Sequence, residues 1–75
     1  MATPGPAPCS EKENLLEDLR LVNRHLAQIY AAEGAAAESS DLAAFDALQP
    51  QLEEAHRYRR TIVDSLAKHL REHGC

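Results

Sequence analysis

Large apolar residues recur along the first half of the chain at Leu15, Leu19, Val22, Leu26 and Ile29, in steps of four, three, four and three. Alternating steps of this kind average about 3.5 residues, so the five side chains form one narrow stripe on a helix, the seam of a coiled coil. Ser10, followed three residues later by Glu13, predicts where that helix starts. The serine hydroxyl can accept from the Glu13 amide while the Glu13 carboxylate returns to the Ser10 amide. Glu11 and Glu13 also place negative charge at the positive end of the helix dipole. Gly34 suits the left-handed conformation that ends a helix, which predicts a first helix over residues 11–33.

After a short Ala- and Ser-rich connection, Ser39, Ser40 and Asp41 all suit an N-cap. Leu42, Phe45, Leu48, Leu52, Ala55, Ile62, Leu66 and Leu70 then broadly continue the spacing, with Arg59 standing where an apolar residue is due and Tyr58 beside it. Pro50 interrupts the series. Inside a helix it removes a hydrogen bond and crowds the preceding turn, at a cost of about 3 kcal/mol. The predicted fold is therefore all-α: an antiparallel, coiled-coil-like helical hairpin with a second helix over residues 41–73, kinked or broken at Pro50. The alternative is a small three-helix arrangement in which Pro50 opens a new helix.

The predicted helices are unequal, about 23 and 33 residues, so the second should overhang the first by roughly ten residues, or ~15 Å. The overhang would leave Ile62, Val63, Leu66 and Leu70 without cover, and such a surface calls for a partner. Residues 1–9 hold three prolines and one glycine with no apolar periodicity, which predicts a disordered tail.

Composition narrows the functional classes. A 75-residue chain with one Phe, two Tyr and no Trp has little to build a core from, and chains of this size rarely gain more than roughly 3–5 kcal/mol from one. The net charge of −4 is unevenly placed: residues 1–54 carry ten acids and three bases, residues 55–75 two acids and five bases. Such halves can pair with each other in a hairpin, or steer a charged partner. No apolar run reaches the length of a membrane span or a signal peptide, so the expected setting is intracellular, cytoplasmic or nuclear, with Cys9 and Cys75 reduced.

Chemistry-bearing constellations are sparse. His69 and His73 share a helical face at a metal-ligand spacing, and Cys9 and Cys75 could complete a set, but paired motifs such as CxxC are missing and no metal or other cofactor is expected. Arg57, Arg59 and Arg60 surround Tyr58, a combination able to grip phosphate and stack a base. Local and interhelical acids, among them Glu17 and Asp18, compete for that charge. No Gly-rich phosphate loop or nucleophile–base pair is present, and a small hairpin has no pocket able to exclude water, so no enzymatic role is expected. The sequence thus predicts a protein–protein interaction module, an adaptor or accessory subunit of a larger complex or a homodimer. Its partner-binding residues are Leu15, Leu19, Val22, Leu26 and Ile29 on the first helix and Ile62, Val63, Leu66 and Leu70 on the second. A nucleic-acid-associated factor using Arg57, Arg59 and Arg60 is the alternative reading.

Overall fold

The computed structural model describes residues 8–73, with side chains from Ser10 onward. Two helices, α1 (Pro8–Glu38) and α2 (Leu42–His73), pack against each other as an antiparallel hairpin, with no strand among the described residues. The alternation of apolar steps is what folds them together. Val22, Leu26 and Ile29 of α1 are buried against Leu52, Ala55 and Ile62 of α2. Leu26, Ile29, Leu52 and Ala55 form the central cluster, with Leu48 packed on its edge. The core is a single row of side chains, and none of its members is fully buried.

Both ends of α1 differ from the sequence expectation. The helix begins at Pro8, so Ser10 lies inside the first turn rather than at the cap; proline is well suited to a helix start because its missing donor would have no partner there. Residues 1–7 of the expected Pro-rich tail lie outside the described residues. At the other end α1 continues past Gly34 to Glu38. The seam explains this: continuing the steps from Leu26 through Ile29 leads to Glu33 and then Ala36, which is buried between the helices. Gly34 sits on the outer side, where an added Cβ would meet nothing within 4 Å.

The left-handed position belongs to Ser40 instead, with φ of 55°. Ser40 N–H donates to the Ala37 carbonyl at 3.1 Å and Asp41 N–H to the Ala36 carbonyl at 2.8 Å, the paired bonds of a Schellman termination. Asp41 then begins α2. Its carbonyl accepts from Phe45 N–H at 2.9 Å, and its Oδ1 accepts from Ala44 N–H at 3.1 Å, as an N-cap carboxylate should. One residue thus closes the first helix and opens the second.

α2 runs uninterrupted through Pro50, so the three-helix alternative does not form. The side chains flanking the proline donate to neighbouring carbonyls: Gln49 Nε2 to Phe45 O at 3.1 Å and Gln51 Nε2 to Ala47 O at 3.5 Å. Gln49 Nε2 also donates to Glu33 Oε2 of α1 at 2.8 Å, which ties the proline-bearing turn to the other helix. The two helices span 31 and 32 residues from a three-residue connection, so their far ends are level. The expected overhang is absent, because α1 is eight residues longer than the capping-box and glycine signals implied.

The displaced terminator gives a test. Gly34→Ala should raise stability by about 1 kcal/mol, since glycine in a helix interior loses excess backbone entropy. Ser40→Gly should add up to about 1 kcal/mol by removing left-handed strain from a non-glycine residue. Urea unfolding followed by circular dichroism measures both; a destabilised Gly34→Ala variant would mean that the helix ends at the glycine.

Candidate interaction surface

Closing the hairpin divides the predicted partner-binding residues into groups. Val22, Leu26, Ile29 and Ile62 are buried in the seam, while Leu15, Leu19, Val63 and Leu66 are half-buried and Leu70 is 43% exposed. The large apolar residues left exposed elsewhere are Leu16, Leu21, Tyr30, Leu42 and Tyr58. On α1, Leu16, Asn23 and Tyr30 recur every seven residues and so share one line along the helix; on α2, Leu42, Gln49, His56, Val63 and Leu70 do the same. Tyr30 Oη and His56 Nε2 lie 2.6 Å apart, which joins the two lines on one broad face of the hairpin. Leu21 and Tyr58 belong to the opposite face. There, Asp18, Val22 and His25 join them around a shallow groove of about 240 Å³, with two acids, Asp18 and Glu54, at or near its rim.

A row of polar ties crosses between the helices beside the apolar seam. Gln49 donates to Glu33, Tyr30 meets His56, and Arg59 Nε donates to Asn23 Oδ1 at 2.9 Å. Arg59 occupies the seam position where the sequence lacks an apolar residue, and its guanidinium reaches out to Asn23. The interhelical pairing expected of Glu17 is not made. Glu17 instead pairs with Arg20 on its own helix, and that hydrogen bond, helped by the charges of Arg20 and Arg24, holds its carboxyl below the usual range.

Arg57, Arg59 and Arg60 line a concavity of about 540 Å³ with His56, Val63 and Asp64. Arg59 is engaged with Asn23, and the Asp64 carboxylate in the same wall opposes a polyanion.

What sequence reasoning missed is the burial of His69, which it weighs as a metal ligand with His73. His69 is only 4% exposed, whereas Leu70, assigned to the stripe, faces solvent. The signal was present: after the four-residue step from Ile62 to Leu66, strict alternation requires a step of three, to position 69. His69 Nδ1 lies 3.8 Å from Glu11 Oε2 across the hairpin, its ring centroid is 4.7 Å from that of His73, and its Nε2 has no hydrogen-bond partner among the described residues. Among those residues no group of three or more His, Cys, Asp or Glu is placed to hold a metal; the Cys9 side chain and Cys75 lie outside them.

A buried polar atom without a partner costs about 1–3 kcal/mol, so His69→Leu should stabilise the hairpin by about 1–2 kcal/mol in chemical denaturation without changing its helicity. A destabilised variant would mean that the imidazole makes an essential bond. No family model, curated protein or solved structure matches this chain.

Proposed function

We propose that this chain is a non-enzymatic protein–protein interaction module, a small adaptor or accessory subunit of an intracellular assembly that works by packing against another helical chain. One observation carries the reading. After the seam has closed, Leu16, Val63 and Leu70 remain wholly or partly uncovered toward the open end of the hairpin, on the face that also bears Tyr30 and Leu42. The docking element is a face of the hairpin, not a projecting end. Val22, Leu26, Ile29 and Ile62 hold the hairpin together and act indirectly; Leu70, Val63 and Leu16 supply the contact.

Completing the burial of each half-exposed leucine yields about 1 kcal/mol, so several together suffice for a reversible contact. Among the described residues no helix is long and apolar enough to cross a membrane.

Leu16→Glu combined with Leu70→Glu should leave the circular dichroism spectrum unchanged, since both side chains are already exposed. Recovery of the protein chains that co-purify with the tagged protein should fall at least about tenfold. Recovery equal to that of the parent overturns the proposal. A recovery that collapses between low and moderate salt, with nucleic acid in the eluate, favours a phosphate contact through Arg57 and Arg60 instead.

A further inference from the structure

We infer that the chain packed on this face is a second copy of the same protein, related by a twofold axis through the His56 layer; this rests on the reading of the face as a docking surface. The stripe on α2 has an internal symmetry that a foreign partner would not require. Leu42 and Leu70 each lie fourteen residues from His56, and Gln49 and Val63 each lie seven. Two copies of α2 laid antiparallel therefore place Leu42 of one against Leu70 of the other at both ends. Gln49 then meets Val63, and His56 meets His56. Leu42 is 69% exposed and Leu70 43%, so both outer layers have apolar area to cover.

The polar centre of this face is provided for in part. His56 bonds Tyr30, and Asn23 accepts from Arg59, within one chain. The remaining N–H groups of Arg59 and Asn23 must find acceptors across the interface, so a polar layer between apolar ends sets the register, as polar seam positions do in coiled coils.

Charge along the rod selects the antiparallel arrangement. Residues 25–56, which form the half nearest the connection, carry six acids and no lysine or arginine. The opposite half, residues 8–24 and 57–73, carries six acids and eight bases, a net +2. A parallel pair would bring two ends of charge −6 together, whereas the antiparallel pair lays each −6 end beside a +2 end. The available area is sufficient. A face about 47 Å long and two helices wide offers on the order of 800 Å² per partner, the size typical of a stable interface. The product is a four-helix bundle with its two connections at opposite ends.

The test is the molar mass of the reduced full-length chain by light scattering, joined to isotope-filtered NMR on a mixture of labelled and unlabelled protein. The expected mass is twice 8.3 kDa. The expected signal is an intermolecular contact between Leu42 and Leu70 methyls, which are about 42 Å apart along a single helix and cannot meet within one chain. Leu42→Glu alone and Leu70→Lys alone should each give a helical monomer, and the two combined in one chain should restore the dimer. A chain that stays monomeric at about 0.5 mM overturns the inference, while the docking role itself stands or falls on the co-purification of other proteins. A dimer without the Leu42–Leu70 contact, or without rescue, overturns the register.

Discussion

The connection at residues 39–41 is the constraint from which the rest of the structure follows. A three-residue link leaves the two helices no freedom to slide, because Asp41 is bonded backward to Ala36 and forward to Ala44 and Phe45. With the turn pinned, the positions that meet across the hairpin are set along its whole length. Gln49 reaches Glu33, His56 reaches Tyr30, Arg59 reaches Asn23, and His69 lies by Glu11. The level ends of the helices follow from the same pin, and so does the identity of every residue left outside the seam.

The seam is one side chain thick, and this limits both its stability and its tolerance. With no second layer behind it, each apolar residue keeps some contact with water, and the fold rests on Val22, Leu26, Ile29, Leu52 and Ile62 together with the close approach that Ala36 and Ala55 allow. Polar groups stand at several seam positions, among them Glu33, Arg59 and His69. Glu33 and Arg59 are answered by Gln49 and Asn23, so they fix register at modest cost. His69 is answered only in part, which makes the open end of the hairpin its least settled layer.

How much of this was legible depended on whether a signal was local or cooperative. The stripe from Leu15 to Ile29, the hairpin fold and the start of the second helix near Asp41 could be read directly, because apolar periodicity and an N-cap act over a few residues. The end of the first helix could not. Gly34 carries the local terminator chemistry, yet the helix continues because burying Ala36 and completing the turn at Ser40 outweigh about 1 kcal/mol of glycine penalty. That boundary, with the start at Pro8 rather than Glu11, propagated into the expected overhang, which assigned to an uncovered end residues such as Ile62 that the longer α1 covers. The exchange of His69 for Leu70 has a different origin. Residue type argued for leucine inside and histidine outside, but the phase of the repeat places position 69 on the seam, and in a rod held together by one stripe phase overrides type.

That precedence also explains why Leu70 is uncovered in line with Leu42. Were Leu70 inside, α2 would shift out of phase with Ile62 and Leu66, exposing both to bury one. Keeping phase leaves Leu70 on the line that already holds Leu42, His56 and Val63, so the cost of one exposed leucine falls on an existing repeat. The same geometry that limits the hairpin to a thin core therefore leaves Leu16, Tyr30, Leu42 and Leu70 uncovered on one face, with Leu21 and Tyr58 on the other. On the proposed reading the first of these faces is preorganised, and a helix docking there would order little of this chain beyond a few side chains. A thin two-helix rod and the docking face proposed for it are then two consequences of one seam.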